Sequence, residues 1–136
     1  IIAAIAVPNL LHSRMAANES SAVGSLRTIN TACVTYSTAY GIGYPAALSN
    51  LAQAATPSST SADLIDVVLS TGTKSGYTFA LTGAPPPTGS TVIQTYSATA
   101  SPIGLNQTGN RFFFTDQSFV IRQKVGSAAT VTDTPI

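Results

Sequence analysis

The acids, lysines, thiol and imidazole of this chain are few, and their spacing decides what chemistry they could do. Thr71-Gly72-Thr73-Lys74-Ser75-Gly76 superficially resembles a phosphate-binding loop. Such a loop needs a glycine directly before the lysine, so that backbone N–H groups can cradle the phosphate. Thr73 stands there instead, and the spacing fails. Acid–base catalysis needs two carboxylates close together. Among Glu19, Asp63, Asp66, Asp116 and Asp133 only Asp63 and Asp66 are near in sequence. Both fall at the start of an expected short helix, where negative charge complements the helix dipole. Asp116 offers one carboxylate in an expected turn, against the roughly six to eight oxygens a calcium ion takes. Cys33 is alone, so no intrachain disulfide is possible. A catalytic thiol would want a base beside it, whereas His12 lies about six helical turns upstream. Cys33 therefore reads as a small buried apolar residue. No catalytic, cofactor-binding or metal-binding residue is assigned, and the chain is not expected to be an enzyme.

Asn18-Glu19-Ser20 and Asn106-Gln107-Thr108 match the N-glycan acceptor pattern. The first falls on a helix and reads as a chance match. Tyr36, Tyr40, Tyr44 and the run Phe112-Phe113-Phe114 could in principle stack for electron transport. Filling a core is the simpler use of such rings.

Composition narrows the class. The 136 residues suit one domain with one modest core. Only 8% are charged, against about 25% in an average soluble protein. Ser and Thr, about a quarter of the residues, supply the polarity instead. Such a surface suits a protein whose faces are covered by copies of itself or by O-linked sugars on outward loops such as residues 57–61 and 85–91. The net charge is +1 and the cations are scattered, so no direct nucleic-acid site is evident. Ile1-Ile2-Ala3-Ala4-Ile5-Ala6-Val7 is an uncharged apolar run. A membrane-spanning helix needs about 20 such residues, so these are expected to be the end of a longer apolar segment.

The elements that position these residues follow from periodicity. Residues 1 to 40 read as one long helix interrupted only by Pro8, which removes a donor and crowds the preceding turn. Leu26, Ile29, Cys33, Tyr36 and Tyr40 recur at spacings of three and four, with Ala22 and Val23 upstream. Arg27, Asn30, Thr31, Thr35 and Thr38 are placed on the opposite face. Gly41, Gly43 and Pro45 end the helix. Short helices are expected over residues 46–54 and 62–70. In the second, Ser61 is the cap and Leu64, Val67 and Val68 form the buried face. Strands are expected over residues 77–82, 91–100, 112–115 and 119–122, the last two forming a hairpin around Asp116-Gln117. The tail after Lys124 is Gly-, Ser- and Thr-rich and expected to be mobile. The fold class is α+β: a long N-terminal helix packed on a small antiparallel sheet of about four strands. The helix is too long for the globule, so residues 1–22 are assigned to a projecting stump and 23–136 to a globular head.

Ile1-Ile2-Ala3-Ala4-Ile5-Ala6-Val7-Pro8-Asn9-Leu10-Leu11 resembles the second half of the type IV pilin N-terminal segment. Arg14-Met15-Ala16-Ala17-Asn18-Glu19 and the run from Ala22 to Ala32 resemble its continuation, and Phe112 to Arg122 is similar to the last strands of the same group. The resemblance implies the type IV pilin fold and a structural subunit, a major pilin, of an extracellular filament. It further implies an inner-membrane precursor, processing and N-terminal methylation, and export by a pilus assembly machinery. A pseudopilin of a type II secretion system is the alternative. The family's cleavage-site Gly, N-terminal Phe and key Glu are expected upstream of Ile1 and are not assigned here. Its frequent C-terminal disulfide cannot form here. The assembly interface of the homo-polymer is assigned to Ile1, Ile2, Ile5, Val7, Leu10 and Leu11, with Pro8 as the helix break. Residues 1–8 are expected to be extended or non-helical in the polymer, with regular helix resuming near Asn9.

Overall fold

The computed structural model describes residues 2–136, with side chains from residue 8 onward. Helix α1 runs Ile2–Tyr40 with Pro8 inside it. Its 39 residues make a rod about 58 Å long. The extended backbone expected over residues 1–8 concerned the polymer; in this single subunit the backbone from Ile2 onward is helical. Pro8 forfeits one hydrogen bond, but melting the turns before it would forfeit several. Gly41 ends the rod in the left-handed region (φ 64°), its N–H reaching Ser37 O at 3.0 Å.

The inward stripe is the one the spacing calls for. Leu26, Ile29, Cys33 and Tyr36 are buried, and Tyr40 and Val23 pack against the cluster. Asn30 overturns its assignment to the outer face. It is buried, as its position four residues after Leu26 requires. Its Nδ2 donates to Thr115 Oγ1 at 2.9 Å and its Oδ1 accepts from Tyr96 OH at 2.8 Å. Burial of an amide is tolerable here because both ends are paired.

The sheet has six antiparallel strands rather than four, in sequence order. They are β1 (Thr73–Lys74), β2 (Tyr77–Gly83), β3 (Tyr96–Pro102), β4 (Arg111–Asp116), β5 (Arg122–Val125) and β6 (Thr134–Pro135). The two extra strands are two-residue edges, too short to carry any periodicity. Residues 71–76, considered as a phosphate loop, instead make the β1–β2 hairpin. Ser75 and Gly76 both have positive φ, the mark of a type I′ turn. β3 begins later than expected because Ile93 O accepts from Tyr44 N at 2.9 Å, tying residues 92–93 to the chain leaving α1.

The hairpin β4–β5 differs in phase. Phe113 is buried, while Phe112 and Phe114, expected inward, lie half-exposed on the outer face. Three consecutive phenylalanines leave the phase of a period-two strand undetermined, and a one-residue shift inverts it. Phe114 pairs with Arg122, so residues 117–121 form the connection and Phe119 is not in a strand.

The middle of the chain also differs. Residues 48–51 form a 3-10 turn, Leu48–Leu51, and α2 covers only Val67–Ser70. Asp63 has φ 55°, outside the right-handed helical region, and residues 62–64 donate their N–H groups to Asn50 O, Ala52 O and Leu51 O, so no helix starts there. Ser61 does not cap; its hydroxyl donates to Ala52 O at 3.3 Å. Val67 and Val68 are exposed, Leu64 is half-buried, and Ile65 and Leu69 take the buried positions. The tail is not loose: Ala129 is buried, and β6 pairs with β5. The Thr130 N–H and hydroxyl hold the Asp133 carboxyl below its usual range, closing the turn that delivers β6.

Gly109 is required by close packing. A Cβ there would collide with the Tyr77 ring, whose hydroxyl donates to Arg111 O at 2.8 Å.

Two outcomes follow for stability. Phe113→Ala should cost about 3–5 kcal/mol in urea unfolding, and Phe112→Ala well under half of that; equal costs would contradict the phase of β4. The buried hydroxyls and thiol add a pH dependence. Burial pushes the Cys33 thiol up to about 12, with Tyr96 opposing it, and raises Tyr36, Tyr77 and Tyr96 above the ordinary phenol value. The folded state keeps protons that the unfolded chain releases. Stability is therefore full below the ordinary thiol value of 9.0 and is lost as pH climbs from there toward 12. Thermal melts across that range should show a falling Tm, with phenolate absorbance of the buried tyrosines appearing only on unfolding.

Candidate assembly interface

The apolar end of α1 is the segment to which assembly was assigned. Residues 8–17 are exposed, apart from half-buried Met15. Leu10 is 61% and Leu11 41% exposed on this stretch. Ile1 lies outside the described residues, and the side chains of Ile2, Ile5 and Val7 likewise. Among the described residues no helix is long and apolar enough to cross a membrane.

Among the described side chains of α1, from Pro8 onward, the first buried one is that of Glu19, not an apolar one. Its carboxylate meets the start of β4. Oε1 accepts from Asn110 N at 3.1 Å and Arg111 N at 3.3 Å, and Oε2 accepts from Arg111 Nε at 2.8 Å. Arg111 Nη1 donates onward to Gln123 Oε1 on β5. On either side, Asn18 Nδ2 donates to Thr108 O at 3.0 Å and Ser21 Oγ to Ser75 Oγ at 3.1 Å. Residues 18–21 thus fasten the rod to the sheet at the point where it leaves the globule. Arg suits this place because its planar fork spans a carboxylate and a second acceptor at once.

Sequence reading placed no role on Glu19 or Arg111. The available signal was scarcity: an acid amid Ala, Asn and Ser in a chain with five acids has a partner somewhere, but nothing local names it. Asn18, read only as a chance glycan match, is engaged with Thr108 of the second such triplet.

The remaining candidates stay apart. Asp66 pairs with Lys74 at 3.6 Å on the surface, a contact of little energetic weight. Among the described residues no group of His, Cys, Asp or Glu could hold a metal ion. Cys33 is sealed in the core. The aromatic rings pair locally, Tyr36 with Tyr40 at 5.0 Å, Tyr44 with Tyr96 at 4.7 Å and Tyr77 with Phe113 at 6.0 Å, as core rings do.

No protein-family model, curated protein or solved structure significantly matches this chain.

Glu19→Ala should lower stability by about 2–3 kcal/mol, toward the low side for a buried pair because Arg111 keeps 34% of its side chain exposed. Urea unfolding of Glu19→Ala, Arg111→Ala and the double variant should give strongly non-additive costs. Additive costs would dissolve the clamp.

Proposed function

We propose that the chain is a structural subunit, a major pilin, of a bacterial type IV pilus, polymerising through the apolar end of α1. The observation that carries this reading is the exposure of Leu10 and Leu11 on a helix extending beyond the sheet that packs it. An isolated helix face of this kind gains by association, at about 25 cal/mol for each Å² of apolar surface removed from water. The resemblance of residues 1–40 to the pilin N-terminal segment and the α+β organisation support it. So does the low charge, since a polymer surface that meets copies of itself pays little desolvation when uncharged.

On this reading the unassembled precursor resides in the inner membrane and the product is a homo-polymeric filament on the cell surface. Ile1, Ile2, Ile5, Val7, Leu10 and Leu11 contact neighbouring subunits, and the helix loosens before Pro8 on assembly. Pro8 marks the weak point because it already lacks one helical hydrogen bond.

Electron microscopy of native material sheared from cells should reveal thin filaments in which mass spectrometry identifies this chain as the principal component. Native material containing the chain only as monomers or small oligomers would overturn the proposal.

A further inference from the structure

The sheet face turned away from α1 carries a groove of about 400 Å³ that crosses β2, β3 and β4. Its floor follows from the register. Thr82 pairs with Ser97 and Ser97 with Asp116, so these three residues form one row across three strands. Phe114 shares their face two residues earlier on β4, about 7 Å along the strand. The phase of β4 that turns Phe114 outward thus supplies an aromatic platform. Thr95 and Gln117 line the groove as well, and both are exposed. Asp116 sets the chemistry. It is only 9% exposed and has no ion pair among the described residues, an uncommon state for an acid. Its Oδ1 accepts from the N–H and the hydroxyl of Ser118. Its Oδ2 has no partner among the described residues, yet it is not sealed from solvent, and the groove is its opening. We infer that this groove binds a neutral saccharide. One pyranose ring lies on the Phe114 face, its hydroxyls donating to Asp116 Oδ2 and exchanging hydrogen bonds with Ser97 and Gln117. The inference goes beyond the filament reading and does not rest on it, because the site lies on the sheet and not on α1.

Three features select this class of ligand. The first is the ring. A phenyl face is electron-rich, and it attracts the polarised C–H groups on one face of a pyranose. The second is hydrogen-bonding capacity. The side chains of Thr82, Thr95, Ser97 and Gln117 make no hydrogen bond among the described residues, whereas the threonines along α1 satisfy themselves. A carboxylate only accepts, while hydroxyls and amides both donate and accept. A ligand that meets all of them presents donors and acceptors close together, as a sugar does. The third is charge. No Lys, Arg or His lines the groove, and the Asp116 carboxylate repels anions, so phosphorylated, sulfated and uronic sugars are disfavoured. A quaternary ammonium would want several rings around it. Here only Phe114 offers a face, since Tyr96 turns inward and donates its hydroxyl to Asn30. The volume lies within the range of about 300–1,000 Å³ that small-ligand sites occupy.

Saturation-transfer NMR on the full chain tests this, because it reads sugar protons whether the chain is a subunit or a polymer. Maltose, cellobiose, lactose and diacetylchitobiose are the probes. At least one should give a saturable signal, strongest on the protons of a single pyranose face. Asp116→Asn keeps an oxygen for Ser118 and exchanges the open acceptor for a donor. Phe114→Leu keeps the apolar bulk and removes the aromatic face. Each should weaken binding by about fivefold or more while the melting temperature holds. If Asp116→Asn fails to fold, Phe114→Leu decides alone, since its ring is half-exposed. No saturable signal from any of the four sugars, or undiminished binding in the folded variants, would overturn the site. Tetramethylammonium binding that Phe114→Leu abolishes, with no sugar bound, would overturn the ligand class. None of these outcomes bears on filament formation.

Discussion

The longest strands of the sheet have seven residues, about 23 Å, and six strands side by side span about 24 Å. Helix α1 is more than twice as long as either dimension. No arrangement of this sheet can cover that rod, and the rest of the structure follows from the mismatch. The half that the sheet reaches carries the apolar stripe from Ala22 to Tyr36 and the buried cluster. Over the described residues 8–14 the rod is exposed. The chain must therefore end its packing at a defined place, and it does so with a carboxylate. A hydrophobic contact at the edge of the globule would be soft, because apolar packing is non-directional. The three hydrogen bonds on Glu19 fix both the rotation of the helix and its distance from β4.

A second polar device sets the phase within the core. Asn30 on α1 bonds Thr115 on β4 and Tyr96 on β3, so Thr115 must point inward. Strand alternation then turns Phe113 inward and Phe112 and Phe114 outward. The hydrophobic effect alone would tolerate either phase of a Phe-Phe-Phe run. The amide distinguishes them, since the wrong phase would leave its Nδ2 buried without Thr115 as acceptor. Cys33 and Tyr96 share the same layer, so one small polar cluster aligns the helix with two neighbouring strands.

These devices explain what could and could not be read from the sequence. The long helix, its inward stripe and its C-terminal glycine were legible because period and capping are local. The existence of β2, β3 and β4 was legible for the same reason, whereas the last strand was placed over 119–122 and β5 lies at Arg122–Val125. Asn30 was misplaced because residue type was weighed above its position four residues from Leu26. The phase of β4 was invisible because it depends on Asn30, 85 residues away in sequence from Thr115. Residues 62–70 were read as helix because apolar spacing suited one. The N–H groups of residues 62–65 are instead taken by residues 50–52, a pairing no local pattern announces. β6 was missed since a Gly-, Ser- and Thr-rich tail shows no periodicity; it is the Asp133 turn and pairing to β5 that order it. Leu10 and Leu11 were legible as apolar residues outside any core, and both are exposed.

The outer face of α1 completes the physical picture. Thr28, Thr31, Thr35 and Thr38 each donate a hydroxyl to the carbonyl four residues earlier. A threonine engaged in this way is polar toward water yet carries no unmet donor of its own. Charged residues would keep the same face soluble, but each would resist burial by several kcal/mol unless matched with a partner. In a chain with 8% charge, a self-satisfied hydroxyl stripe accepts water and is still cheap to dehydrate. Such a face can lose its water without leaving a hydroxyl donor unpaired.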